Sequence, residues 1–130
     1  MDDDGHQIVT VNVEKSKALA EEIATRAEAL ERRIDENVES GRWPDASSAS
    51  FNDRLTHLEQ ALLHESGSPA QRWYRHVIYG WNIYSLYDGQ PLPGLAEAIR
   101  SKDPARVAQD PARSEYALRR MLAGVRQAGD

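Results

Sequence analysis

Residues Arg72 to Gly94 read RWYRHVIYGWNIYSLYDGQPLPG, and they hold four of the five tyrosines of a 130-residue chain. Gly80, the pair Asp88-Gly89 and the prolines near the end interrupt any regular helix in this stretch. The alternation from Tyr74 to Tyr79 predicts a short, extended and partly buried piece, and a strand buried on both faces would fit it. Because such a segment has no hydrogen-bond ladder of its own, we expect its aromatic side chains to hold a long irregular loop against helices.

Two helical segments precede the aromatic stretch. Apolar residues recur with a helical period from Glu14 to Glu39, and Ser40-Gly41 supplies a helix end. These residues are Leu19, Ile23, Leu30, Ile34 and Val38. A second helix is expected to begin after Ser50, whose hydroxyl can accept a hydrogen bond from the amide of Asp53. The short polar link between the two segments predicts an antiparallel helical hairpin.

Proline-containing pairs punctuate the chain after the aromatic stretch. Pro93-Gly94 opens a short helix, and Asp103-Pro104 and Asp110-Pro111 each place a capping carboxylate before a proline at the first helical position. The last of these pairs should open the final helix. Its inward side is expected to consist of Ala117, Leu118, Met121, Leu122 and Val125.

Composition excludes several classes of protein. The formal net charge of −5 argues against a duplex nucleic acid as partner, because no positive field is present to displace counterions. The chain has no cysteine, which excludes disulfides and thiolate zinc sites. No apolar run has the length needed to cross a bilayer, and the acidic start lacks the order of a signal peptide. We therefore expect neither nucleic-acid binding nor membrane contact from this segment, and the compartment stays open.

The histidines do not form a metal-binding pattern. His57 and His64 share a helix face but lie about 10 Å apart along it, too far for one zinc ion. His76 is expected to be buried and hydrogen-bonded to backbone, since general-base duty requires a nucleophile or a bound water within reach. Arg75 can pair with a carboxylate of the protein or with a ligand carboxylate. We expect no catalytic residue and no metal ligand in this chain.

Two motifs carry a resemblance to a known family. The run WYRHVIYG from Trp73 to Gly80, followed by Tyr87, Gly89, Pro93-Gly94 and LAEAI, resembles the C-terminal helical dimerisation domain of the transferrin receptor and glutamate carboxypeptidase family. The run DRLTHLEQALL, residues 53–63, is similar to the central helix of that family. The receptor branch lacks the Tyr-x-Gly insertion, so the resemblance favours the peptidase-like branch.

The resemblance implies a fold and a division of labour. Family members carry this domain as a four-helix bundle after a protease-like and an apical domain, and it mediates homodimer formation. The zinc ligands and general base belong to the protease-like domain, so zinc is expected only in such a domain of the parent. Tyr87 matches a tyrosine that binds the terminal carboxylate of the substrate. Leu86 stands where glutamate-preferring members have a lysine, so that preference does not carry over. Members are often membrane-anchored with an extracellular or lumenal ectodomain.

Together these observations predict an all-α, four-helix up-and-down bundle with a long irregular aromatic loop between the second and third helices. Residues 1–13 are expected to be a flexible segment and residues 14–130 the dimerisation domain. The predicted function is non-catalytic homodimerisation, with its own peptidase-like domain as a further partner. The alternatives are a part that shapes the substrate cleft of a metallopeptidase and a free-standing helical adaptor. Residues expected to form the interface or hold the loop are Trp73, Tyr74, Arg75, His76, Tyr79, Trp81 and Tyr84.

Overall fold

The computed structural model describes residues 10–43, 45–68, 72–81 and 88–129, and this part of the chain is mostly helical. The all-α class predicted from the sequence is confirmed. The elements in chain order are α1 (Glu14–Glu39), α2 (Asp45–Leu58), a 3₁₀ helix (Glu59–Leu62), β1 (Tyr79–Trp81), β2 (Gly89–Pro91), α3 (Pro93–Arg100), α4 (Pro104–Gln109) and α5 (Pro111–Gly129). None of the helices in these described ranges is both long and apolar enough to cross a membrane.

The C-terminal helix α5 lies at the centre of the packing. It contacts α1, α2, the 3₁₀ helix and α4, and its contact with α1 is the most extensive in the described part of the chain. Ile23 of α1 packs with Leu122 and Val125 of α5 in a buried cluster. Leu58 of α2 packs against the same cluster. The predicted antiparallel hairpin of the first two helices is therefore wrong as the main packing, because α5 takes up the apolar side of each.

Helix α1 ends as predicted. Gly41 has φ 63°, and its amide donates to the carbonyl of Val38 at 3.2 Å. The amide of Arg42 donates to Asn37 at 3.1 Å, so the last carbonyls of the helix are satisfied. Glycine is favoured at this position because a side chain makes the left-handed backbone costly.

Helix α2 begins earlier than the sequence predicts. It starts at Asp45, so Ser50 lies inside it and is not its cap. The hydroxyl of Ser50 accepts a hydrogen bond at 3.5 Å from the side chain of Arg54. The short Ala-Ser run before Ser50 favours a connection in the sequence because serine is common at caps and turns, yet serine and alanine are both tolerated in a helix.

The helix starts after the aromatic stretch agree with the sequence. Helix α3 begins at Pro93, and α5 begins at Pro111, while the capping role of the Asp110 carboxylate stays a prediction. The carboxylate of Asp103 accepts from the amides of Ala105 and Arg106 at 3.0 and 3.4 Å, as a capping residue does. In α5, Ala117, Leu122 and Val125 are buried, and Leu118 and Met121 pack against the core, as predicted.

The aromatic stretch contains two short antiparallel strands. Tyr79 pairs with Pro91, Gly80 with Gln90 and Trp81 with Gly89. Only the end of the extended piece predicted for residues 74–79 lies in a strand. The prediction that it is buried on both faces is wrong, since Tyr79 is 58% exposed. Helix α3 contacts both strands, and a sheet of only two strands can bury few of its side chains.

Candidate interaction surface

Three aromatic residues lie in or just before β1, and we call them the aromatic patch: Trp73 and Tyr79, which are exposed, and Tyr74, which is half-buried. Trp73 is 68% exposed, and its ring meets that of Tyr74 edge to face at 5.7 Å between centroids. The hydroxyl of Tyr74 donates to the carbonyl of Tyr79 at 2.9 Å. Tryptophan is rarely so exposed in a soluble protein, so the patch is a candidate binding surface.

Two glycines of the hairpin make room for these rings. A Cβ atom on Gly89 would lie 1.5 Å from the hydroxyl oxygen of Tyr79, so that ring lies directly over the Gly89 backbone. A Cβ atom on Gly80 would lie 3.1 Å from the ring of Tyr74 and 2.7 Å from Pro93. The positions of both tyrosine rings therefore depend on the absence of a side chain at these two residues.

Backbone hydrogen bonds fix the patch to the rest of the protein. The amide of His64 donates to the carbonyl of Arg75 at 2.8 Å, and the amide of Ser68 donates to Tyr74 at 2.7 Å. The amide of Val77 donates to Leu62, the last residue of the 3₁₀ helix, at 2.9 Å. A surface held in this way loses little conformational freedom on binding, which favours its use in recognition.

His76 supports the backbone beneath the patch. Its Nδ1 atom accepts a hydrogen bond from the amide of Tyr79 at 3.1 Å, and its Nε2 atom lies 3.8 Å from the carboxylate of Glu59. The ring is partly buried and bonds to backbone, as the sequence predicts. Arg75 is exposed, and its backbone carbonyl accepts the hydrogen bond from the amide of His64.

Three of the predicted site residues stay predictions. Tyr84 and Tyr87 lie outside the described residues. The backbone of Trp81 pairs with Gly89, but its side chain is also outside the described part. The sequence does not predict the roles of Gly80 and Gly89, because there each glycine indicates only a break in regular structure.

The histidines of the second helical region have separate partners. His57 Nδ1 lies 2.7 Å from the carbonyl oxygen of Asp53. His64 Nδ1 lies 2.8 Å from the hydroxyl of Ser66, and burial, with a smaller contribution from the charge of Arg113, lowers its pKa. Within the ranges that the structure describes, no group of three or more metal-ligating side chains comes together.

Comparison with known proteins gives one family and two informative relatives. A family model described as transferrin receptor-like dimerisation domain matches residues 9–124. A protein of Arabidopsis thaliana named probable glutamate carboxypeptidase is 41% identical over 49 residues, which are 38% of this chain and 7% of that protein. A Schizosaccharomyces pombe protein named inactive zinc metalloprotease is 31% identical over 70 residues, 54% of this chain and 9% of that protein. The chain thus spans less than a tenth of the length of either relative.

Proposed function

Because the chain belongs to the transferrin receptor-like dimerisation domain family, in its peptidase-like branch, we propose that it is a non-catalytic domain that joins two copies of its parent protein. The exposure of Trp73 and Tyr79 supports the assignment of the dimer contact to these residues, because their backbone is held by hydrogen bonds to the rest of the protein. Tryptophan and tyrosine are the residues that most often dominate the energy of protein interfaces. A two-fold contact brings each patch onto the same surface of the second copy.

The size of the patch sets what it can contribute. The rings counted are those of Trp73 and Tyr79 in both copies, four in all. If each ring loses about 100 Å² of exposed area, at roughly 25 cal/mol per Å², their burial contributes about 10 kcal/mol. Association itself costs roughly 4 to 15 kcal/mol. The free energy gained by burying the patch is therefore close to the cost of association, and a stable dimer needs further buried area around the patch. We place the patch at the centre of an interface of about 800 Å² per copy.

A second exposed surface lies on α1. Val38 is 66% exposed, and Ala20, Ala24 and Ala27 of the same helix are exposed on the same flank. Small residues allow a neighbouring helix to approach closely, so this flank is the natural competitor for the dimer contact. The two surfaces can be separated by substitution, because Val38 and Trp73 belong to different elements.

The test is the molar mass of the full chain in solution, measured by light scattering after size-exclusion chromatography. The double variant Trp73→Ser/Tyr79→Ser is expected to be monomeric at concentrations where the unaltered chain is dimeric. Val38→Ser serves as the matched control, and it should leave the dimer intact. Far-ultraviolet circular dichroism of each variant confirms that the helices are retained. A dimer lost in Val38→Ser but kept in the double variant would contradict the assignment to the patch.

A second candidate function is supported by the relative named probable glutamate carboxypeptidase. The pairing of Trp81 with Gly89 joins the two ends of the connection that contains Tyr87. We infer that this connection shapes one edge of a substrate cleft in a parent peptidase, whose zinc ligands lie in another domain. Replacement of Tyr87 by Phe in a full-length parent tests it. An unchanged kcat/KM would remove the role, and the isolated chain is expected to hydrolyse no peptide.

A further inference from the structure

A short antiparallel pairing of the backbone holds the segment that carries the aromatic patch. Residues 62–64 pair with residues 75–77, with Leu63 opposite His76 and one backbone hydrogen bond on either side of that pair. Two patch residues come just before the second segment in sequence, and the third comes just after it. Each segment contains a histidine, His64 in the first and His76 in the second.

Each of these histidines uses its Nδ1 atom to accept a hydrogen bond from a backbone amide. His76 accepts from Tyr79 at 3.1 Å, and His64 accepts from Ser66 at 3.2 Å. The first bond holds the backbone of a patch residue directly. The second belongs to the turn whose last amide donates to the carbonyl of Tyr74, another patch residue.

These two bonds require both rings to be unprotonated at Nδ1. A backbone amide can only donate, so the nitrogen that it faces must present a lone pair, and the neutral ring must carry its proton on Nε2. An imidazolium has N–H donors at both nitrogens and would face the amide with a second donor. The hydroxyl of Ser66, 2.8 Å from Nδ1 of His64, can rotate and accept instead, but the amide cannot. Protonation of the two rings therefore breaks both amide bonds.

The surroundings of His64 favour its neutral form. The ring of Tyr116 on α5 meets it edge to face, with 5.8 Å between centroids. Burial first, and then the charge of Arg113, lower the pKa of His64; Arg120 acts in the same direction and Glu65 opposes them. Because a histidine in an unfolded chain gains its proton near about pH 6.5, the stability that the neutral ring contributes is complete above this pH and is lost as the pH falls through the lower folded-state pKa.

The charged neighbour of His76 does not replace the bond that protonation breaks. The carboxylate of Glu59, on the 3₁₀ helix, lies 3.8 Å from Nε2, and the side chain of Glu59 is 82% exposed. Water therefore screens its attraction for an imidazolium. Nε2 carries a proton in the neutral and in the charged ring alike, so this contact survives protonation while the bond at Nδ1 does not.

We propose that the aromatic patch responds to pH: protonation of His64 and His76 breaks their hydrogen bonds to the two amides, and the patch then loses the backbone support that its binding requires. A patch on a loosened backbone must be ordered again when it binds, which weakens the contact. This inference rests on the proposed function, since the contact that weakens is the dimer contact. The dimer is thus expected to form near neutral pH and to dissociate in mildly acidic solution.

Hydrogen exchange of the full chain, measured by NMR, tests the response of the histidines without reference to the dimer. At about pH 7.5 both neutral rings should carry their proton on Nε2, and the amides of Ser66 and Tyr79 should be protected from exchange. From there to about pH 5, the two protection factors should fall by about fivefold or more, after correction for the intrinsic exchange rate. Amides in the middle of α5 are the internal reference and should keep their protection. Unchanged protection of Ser66 and Tyr79, or a neutral ring protonated on Nδ1, would overturn the proposal.

The affinity of the dimer is the second readout. Its dissociation constant is expected to rise by about fivefold or more between the same two pH values. The double variant His64→Asn/His76→Asn should lose most of this change, because the side-chain oxygen of asparagine can accept from an amide and does not titrate. The matched control replaces the other two histidines of the chain, His6→Asn/His57→Asn, and should keep the whole change.

The two readouts separate this proposal from that of the dimer. A chain that is monomeric at both pH values but whose two amides lose protection would contradict the dimer contact and not the response of the histidines. A dimer of equal affinity at both pH values, or one that weakens equally in His64→Asn/His76→Asn, would overturn the pH response. The exchange measurement uses the unaltered chain, so it decides even if that double variant does not fold.

Discussion

Arg126 of α5 donates a hydrogen bond to the carboxylate of Glu22 in α1 at 2.5 Å. Glu22 also accepts from Arg26, one turn along its own helix, at 3.0 Å. The hydrogen bond from Arg126, and then that from Arg26, lower the pKa of Glu22. This polar bridge lies beside the buried contact of Ile23 with α5 and helps to set the register of the two helices.

The bridge predicts a small, pH-dependent contribution to stability. Because the pKa of Glu22 is lower in the folded chain than in the unfolded one, its contribution is present above about pH 4.3, the ordinary value for glutamate, and is lost as the pH falls further. Glu22→Gln should therefore lower the urea midpoint slightly at pH 7 and have no effect at pH 3. Because the group is exposed, 1 M salt should also abolish the difference. An effect that survives high salt would contradict this origin.

The apolar contact between α1 and α5 should contribute much more than the bridge. Ile23 and Leu30 are each 9% exposed. Replacement of either by Ala is expected to lower the free energy of unfolding by about 2 to 5 kcal/mol, measured by urea denaturation. Val38→Ala, on the exposed flank of the same helix, is the control and should change it by less than about 0.5 kcal/mol. Equal effects at Ile23 and Val38 would show that α1 packs through a different face.

Gly67 is expected to tolerate no side chain. Its φ is 68°, and a Cβ atom there would lie 2.0 Å from the carbonyl oxygen of Arg72. Its own carbonyl accepts from the side chain of Arg113. Gly67→Ala should destabilise the chain by about 1 to 3 kcal/mol or more, because backbone strain and a steric clash coincide. Gly41→Ala has the same sign of φ but open space around it, so a smaller loss there is the matched comparison.

Asp110 should lower the stability of the folded chain at neutral pH. Its pKa is raised by burial in the folded chain, so the folded state holds its proton more firmly than the unfolded state does. The sign is therefore opposite to that of Glu22: the cost is absent below about pH 3.9 and grows as the pH rises through the folded-state pKa. Asp110→Asn is expected to unfold at a higher midpoint than the unaltered chain at pH 7 and at the same midpoint near pH 3. A lower midpoint for Asp110→Asn at pH 7 would show that the carboxylate supports the fold.

Local signals in the sequence were sufficient for most helix ends. Gly41, Asp103 and the prolines at 93 and 111 act within one or two turns, so each can be read without knowledge of the rest of the chain. The start of α2 was misplaced because serines at helix starts and in helix interiors look alike in sequence.

Packing between distant segments could not be read in the same way. The spacing of apolar residues in the first two helices does not say whether they pack on each other or on α5, and the structure shows that both contact α5. The close approach of Gly94 to Asp110, and that of Gly89 to Tyr79, could not be predicted either, because sequence spacing does not show which residue packs against a glycine. The family motif identified the aromatic stretch, but it does not predict that Trp73 is exposed.

Sedimentation equilibrium of the unaltered chain tests the central claim most directly. One chain has a mass of 14.6 kDa. We predict a concentration-dependent weight-average mass that approaches twice this value over roughly 1 to 100 µM, in the range of a modest dimer of about −7 to −8 kcal/mol. A mass that stays at that of a single chain across the whole range would contradict the proposal that this domain joins two copies of itself.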